Sequence, residues 1–247
     1  MTTFERVLVE LEPDPNSTAA ALVGRDDELL EEVGSRAAPP TARLWVDRPA
    51  VVAPHRLLRA VERLELVDGS GRPWPVCGRS SGGGVVVHEA GTLNLSLVLP
   101  SRTLGDPSIE EAYALWLEVL GSTLRDSYGV AIAATEIRDA FCNGRWDAAV
   151  GPRKLAGTAQ TRRKGAVVVH GTILVDVNRA AYVALVAHAE AAFGVPNRPA
   201  VYDPSSIATV AELIEAPVTA RRLAASLAAR VHEPRGRDCS RGTAASR

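Results

Sequence analysis

Residues Arg79 to Ser96 read Arg-Ser-Ser-Gly-Gly-Gly-Val-Val-Val-His-Glu-Ala-Gly-Thr-Leu-Asn-Leu-Ser. Three glycines between a basic side chain and a β-branched run leave a backbone that another group can approach closely, because no Cβ stands in the way. Beyond His88, Leu93, Leu95, Leu97 and Leu99 alternate with Thr92, Asn94, Ser96 and Val98. That period of two predicts a strand with one face in a core and the other toward a polar cleft or solvent. The glycines therefore sit at the mouth of a sheet. Taken alone, such a loop is either a tight turn between strands or the cradle of a ligand.

Upstream, Phe4 to Leu11 reads as an opening strand or part of a short helix, broken by Pro13 and Pro15. Asp26 to Val33 predicts a short acidic helix stopped at Gly34, Leu44 to Val52 a strand, and Pro54 to Leu64 a helix with Leu57, Leu58, Val61 and Leu64 inward. Leu66, the turn Asp68-Gly69-Ser70-Gly71 and Val76 predict a hairpin feeding the glycine loop. Downstream, Asp106-Pro107 offers an N-cap and a first helical residue. Ile109, Ala112, Tyr113, Trp116, Leu120 and Leu124 then recur at helical spacing, their aromatic rings read as core. Val130 to Ile137 predicts a short strand, and Ala166 to Val177 two β-rich runs hinged at Gly171. Arg179 to Ala192 and Val218 to Val231 predict helices, the first carrying a structural His188. Arg162, Arg163 and Lys164 read as a solvated turn, and residues 233–247 as a disordered polar tail after a single domain over residues 1–232.

Composition narrows the function. With 247 residues, 46% hydrophobic and 23% charged, the chain resembles an ordinary soluble globular protein with a substantial core. Its 28 basic and 29 acidic residues leave a net charge of −1, so nothing favours nucleic acid or an anionic membrane over a small molecule or a protein. Cys77, Cys142 and Cys239 are odd in number and lack a Cys-x-x-Cys pattern, which predicts neither a disulfide framework nor a structural zinc site and suits a reducing cytoplasm. No apolar run approaches the roughly 20 residues of a membrane span, and the N-terminus does not read as a signal peptide. Lys154, beside the turn Gly151-Pro152 and before Gly157, Thr158 and Gln160, is either a surface lysine or the holder of an anionic or polarised ligand.

Two separated segments agree on a family. Arg79-Ser-Ser-Gly-Gly-Gly-Val-Val-Val-His88, with Gly91 and Asn94, resembles the Arg-Arg-x-x-Gly-Gly-Gly-x-x-x-His motif of the lipoate-protein ligase A family. Lys154-Leu-Ala-Gly-Thr-Ala-Gln160, followed by His170-Gly171-Thr172-Ile173-Leu174 and Asp176, resembles that family's Lys-x-x-Gly-x-Ala segment and the strand pair after it. The likeness runs from about Leu44 to Arg230. It implies an α+β fold, a mixed β-sheet flanked by helices, shared with biotin-protein ligases and of the class II aminoacyl-tRNA-synthetase-like kind.

The implied chemistry is activation of lipoate or octanoate by ATP and Mg2+ to an acyl-adenylate, then transfer to a lysine of a lipoyl carrier domain. Lys154 would be catalytic, meeting the acyl carbonyl and the bridging phosphate oxygen. Arg79, Ser81, Gly82, Gly83, Gly84, His88, Asn94, Asp147, Gly157, Thr158, Ala159, His170, Gly171 and Thr172 would bind ligand and adenylate, with Arg79 offsetting phosphate charge and Val85, Val87 or Leu95 walling the acyl chain. Two departures stand out. Gly78 occupies the place of the motif's first arginine, and no accessory domain follows the catalytic one, so a separate accessory subunit or an already activated acyl group is implied. Cys142, twelve residues before Lys154, suits the second option. It is either a passive loop cysteine or the nucleophile of an octanoyl or lipoyl transferase, as in a subgroup of the superfamily that forms a cysteine thioester. A non-catalytic member that binds an acyl ligand or partner is the third reading.

Overall fold

The predicted alternation is realised in a nine-residue strand, Thr92–Pro100, at the middle of the molecule. A computed structural model describes residues 4–59, 65–101, 106–163, 165–196, 199 and 201–232. The chain runs β1 (Arg6–Glu10), α1 (Ala19–Ser35), β2 (Thr41–Trp45), β3 (Ala50–Pro54), α2 (His55–Leu58), β4 (Leu66–Val67), β5 (Pro73–Trp74), β6 (Val76–Arg79), β7 (Val86–His88) and β8 (Thr92–Pro100). It continues with α3 (Ile109–Tyr128), β9 (Ala133–Ala134), β10 (Ala148–Val150), β11 (Arg153–Arg163), β12 (Ala166–Leu174), α4 (Arg179–Ala192), a 3-10 turn (Pro204–Ser206), α5 (Val210–Leu213) and α6 (Ala220–His232).

The main sheet has the order β1-β2-β8-β12-β11-β10-β9, parallel between β1 and β2 and antiparallel elsewhere. Leu93, Leu95, Leu97 and Leu99 face α3 and α6 and form one core with Trp116, Leu120, Leu223 and Leu227. The other face of β8 is polar, and it is covered by α1 and by a second sheet of order β6-β3-β7, whose far side packs on α4. The mixed sheet flanked by helices is the fold that the motifs implied.

Several boundaries differ for identifiable reasons. The expected strand Leu44–Val52 divides at Asp47-Arg48-Pro49, one half entering each sheet. α1 begins seven residues earlier than its acidic run, because Thr18 caps it by accepting from Ala21 N. α3 is capped by Ser108 rather than Asp106: Ser108 and Glu111 exchange side-chain and backbone hydrogen bonds in a capping box. Gly171 is no hinge, since β12 passes straight through it. A Cβ there would overlap the Trp116 ring and lie 2.8 Å from Gly157 O, so glycine admits the indole, whose Nε1 donates to Leu95 O at 2.9 Å. The strand expected over Val130–Ile137 is only β9, and His188 lies exposed on α4. Val61, Leu64, Lys164, Cys239 and the tail 233–247 lie outside the described residues. No helix among the described residues is long and apolar enough to cross a membrane.

Candidate active site

Register places two rows of side chains on the polar face of the main sheet. Trp45, Asn94, Thr172 and Gly157 form one row across β2, β8, β12 and β11; Arg43, Ser96, His170 and Ala159 form the next. Between this floor, α1 and the second sheet lies a narrow, partly enclosed pocket of about 40 Å³. Val23, Trp45, Val52 and Val86 supply its apolar wall; Arg79, His88, Asn94, Cys142, Thr158, His170 and Thr172 supply polar groups. Leu95 points to the opposite core, and Val85 and Val87 are buried away from this space, so Val86 takes the role expected of them.

Two imidazoles border the cavity, each tied to a carboxylate. His88 Nδ1 lies 2.8 Å from Asp47 Oδ2 and its Nε2 3.1 Å from Thr172 Oγ1. Burial pushes the His88 pKa down, against the pull of Asp47. His170 Nδ1 lies 3.2 Å from Asp26 Oδ2 and its Nε2 2.7 Å from Ser81 Oγ. Burial alone would raise the Asp26 carboxyl; hydrogen bonds from His170 and Ser96 and the Arg43 charge outweigh it and hold Asp26 below the usual carboxylate range. The buried Arg43 also donates to Leu22 O, pinning α1 to the sheet.

Arg79 and the glycines form an internal brace. The guanidinium donates to Ser81 Oγ, Val52 O, Gly82 O and Gly84 O, and burial lowers its pKa. Those bonds hold the glycine loop in place, with Arg79 at the edge of the cavity. Gly83 has φ +91°, open only to glycine at low cost. A Cβ on Gly84 would lie 3.2 Å from Cys142 Sγ and 3.1 Å from its Cβ. The loop is therefore a seat for a cysteine, and the Gly84 N–H donates to Cys142 Sγ at 2.9 Å.

Lys154 lies beneath that cysteine. It is fully buried, and its ammonium donates to Phe141 O at 2.9 Å, Cys142 O at 2.8 Å and Asp147 Oδ2 at 2.8 Å. All three N–H groups are used within the protein, and the ammonium clamps the loop carrying Cys142, whose φ is +44°. Asp147 also accepts from Gly144 N; burial pushes its carboxyl up, against Lys154 and that N–H. Asp147 is thus Lys154's partner. Cys77, by contrast, is buried in the second sheet with its thiol pushed up to about 12 by burial and the Asp47 charge.

A second cavity of about 270 Å³ adjoins the first, and Cys142, Thr158 and Ala159 line both. Its other walls are Gly82, Gly83, Tyr113, Asn143, Gly144, Arg145, Trp146 and Gln160. Tyr113 and Trp146 stack with ring centroids 5.6 Å apart and planes 8° from parallel, so Tyr113 serves this wall as well as packing against the core.

Residues 19–232 match the family model of the lipoyl protein ligase A/B catalytic domain. The chain belongs to that family. Among relatives of this lipoyl ligase-type domain, octanoyl-GcvH:protein N-octanoyltransferase of Bacillus velezensis is 29% identical over 241 residues, covering 94% of this chain and 83% of the relative. Lipoyl-GcvH:protein N-lipoyltransferase of Listeria monocytogenes is 32% identical over 166 residues, 66% of this chain and 58% of the relative. In fold, a lipoate-protein ligase A bound with ATP superposes with a TM-score of 0.64 at 22% identity, over 92% of this chain and 83% of that one.

Ser81, Gly82–Gly84, His88, Asn94, Gly157, Thr158, Ala159, His170, Gly171 and Thr172 do converge around the two cavities, Gly171 meeting Trp116 on its other face. Sequence reading missed Asp26, Asp47, Trp45 and Trp146. The carboxylates sit in an ordinary acidic helix and a loop, remote in sequence from the histidines they meet. Trp45 could have been found: its partner in register is Asn94, already singled out.

Proposed function

We propose that this chain is a cysteine-dependent acyltransferase that carries an octanoyl or lipoyl group from one protein carrier to a lysine of another through a thioester on Cys142. The observation that carries this reading is the place of the Cys142 sulfur, at the boundary of an apolar-walled cavity and a second, more polar one, facing the Gly84 N–H. In the first half-reaction the sulfur attacks the acyl carbonyl, the acyl chain lying against Val23, Trp45, Val52 and Val86. In the second, a lysine amine attacks the thioester. The Gly84 N–H is placed to stabilise negative charge on the departing sulfur, and the Lys154 clamp keeps the strained loop where that bond can form. The names of the Bacillus and Listeria relatives support the acyl groups and a GcvH-type carrier as one partner.

The motif match favours an ATP-dependent ligase, and its ATP and Mg2+ are tested by the same geometry. The residues assigned to phosphate fit it poorly: Lys154 has no N–H to spare, and Arg79 spends four hydrogen bonds on protein. No carboxylate lines the second cavity to hold a divalent cation. The deciding experiment mixes the protein with an octanoyl- or lipoyl-carrier and an unmodified lipoyl domain without ATP, and follows both masses. Transfer, with an acyl-enzyme trapped on Cys142 and lost in Cys142→Ala, is expected. Modification that needs free acid and ATP and survives Cys142→Ala would restore the ligase.

A further inference from the structure

We infer that the second cavity receives the lysine arm of both carriers, and receives it uncharged, as the amide of the donor or the free amine of the acceptor. This rests on the thioester reading above. The two cavities share Cys142, Thr158 and Ala159, so the sulfur stands in the partition between them. Once the acyl tail lies in the first cavity, the second gives the nitrogen that leaves the acyl carbon, or attacks it, a path to within the roughly 3–3.5 Å of a reactive approach.

The walls state which form of nitrogen fits. Among the described lining residues Arg145 is the one charged side chain, its guanidinium 4.9 Å from the centre of the Trp146 ring; the carboxylates behind the wall are Asp147, paired with Lys154, and Glu136, which accepts from Asn143. An ammonium entering there meets a cation and finds no countercharge, whereas an amide or a neutral amine loses nothing by it. The parallel Tyr113 and Trp146 rings offer a flat apolar wall to four methylenes. Gly82 and Gly83, without side chains, leave backbone at the remaining wall.

Atoms balance in both directions. During loading, the donor's acyl C–N bond breaks, the C–S bond forms, and the thiol proton passes to the departing lysine nitrogen. During transfer, the C–S bond breaks, a C–N bond forms, and the amine proton returns to the sulfur. Because both arms use one cavity, excess unmodified acceptor should slow loading.

The test is Gly82→Trp. Gly82 has an ordinary φ and no heavy atom within 4 Å of a Cβ built on it, so a large side chain can enter the open space. Loading from p-nitrophenyl octanoate, whose leaving group is small, is compared with loading from an octanoyl carrier and with transfer to a lipoyl domain. The carrier steps should fall at least ~10-fold relative to the small ester. An unchanged ratio would overturn the assignment. Arg145→Glu, at an exposed position, should move the pH profile of transfer to the lipoyl domain upward and lower its rate at pH 7 about three- to tenfold. An unmoved profile counts against an uncharged arm. Saturable quenching of Trp146 by ATP, absent in Trp146→Phe, would give the cavity to a nucleotide instead. Absence of any thioester in the unsubstituted protein refutes the transferase itself, a result distinct from a thioester that transfers normally past the Gly82→Trp plug.

Discussion

Lys154→Met separates a clamp from a ligand contact. The substitution keeps a long apolar stem but removes three charge-assisted donors at once, leaving the buried Asp147 charge without its countercharge and Phe141 O and Cys142 O without their donor. Removing one partner of a buried ion pair costs about 3–5 kcal/mol. At about 2–4 °C per kcal/mol for a chain of this size, the melting temperature should fall by roughly 6–20 °C. Asp147→Asn in the Lys154→Met background should recover part of that loss, since the stranded charge is then gone. With the clamp lost, Cys142 can leave its left-handed backbone conformation, so its alkylation by iodoacetamide should change in rate and its acylation should collapse. Octanoate binding, measured by calorimetry below the melting range, should stay within about twofold, because no Lys154 N–H reaches the cavity. Loss of octanoate affinity at unchanged melting temperature and unchanged thiol reactivity would refute the clamp and return Lys154 to the acyl carbonyl.

Three further outcomes follow from the geometry. Gly171→Ala forces a methyl into the Trp116 ring and should cost about 1–3 kcal/mol by overpacking, read as a melting shift of roughly 2–12 °C, with Trp116→Phe in the same chain relieving it. Gly84→Ala should abolish acylation of Cys142 while Gly82→Ala leaves it within about twofold, since only the former places a Cβ 3.2 Å from the sulfur; equal effects would show that the loop does not seat the cysteine. His88 is held neutral by burial, so below about pH 6.5 the unfolded chain takes up a proton that the native state refuses. Stability then falls with acid by up to ~1.4 kcal/mol per pH unit until the native pKa is reached. Urea unfolding at pH 7.0 and 5.5 should show that loss, and His88→Asn should reduce it by about 1 kcal/mol.

What could be read in the sequence was whatever repeats along the chain. The leucine alternation of β8 and the 3.6-residue period of α3 and α6 report on one face of one element, and those elements stand where expected. Partners distant in sequence leave no such trace. Asp26 meets His170 only because α1 lies across β12, and Asp47 meets His88 only because β7 pairs with β3 just beyond Asp47. The direction of Lys154 was illegible for the same reason. A lysine after a turn suggests exposure, yet the bulge where β10 pairs with β11 turns it inward beneath the Phe141–Asp147 loop. Gly171 was read as a hinge from its residue type alone, when a tryptophan fifty-five positions earlier decided its identity.

Gly78 shows how far a motif can be carried. Set against the family pattern it is a missing arginine, hence a donor lost from an adenylate site. In the fold, a Cβ at Gly78 would overlap the His55 ring and lie 2.7 Å from Leu58 Cδ1, so the position is where α2 rests on β6. Arg56, on the same short helix, donates to Gly83 O and braces the loop that seats Cys142. The glycine at 78 thus belongs with Gly83 and Gly84: each lacks a side chain because other parts of the protein stand close by, at His55, Arg79 and Cys142 respectively. Restoring arginine alone should therefore displace α2 and release Arg56 rather than improve an anion site. A Gly78→Arg chain that gained ATP affinity with α2 undisturbed would show that the position faces ligand after all. On the contacts seen here, loss of the motif's first arginine goes together with a loop built around sulfur.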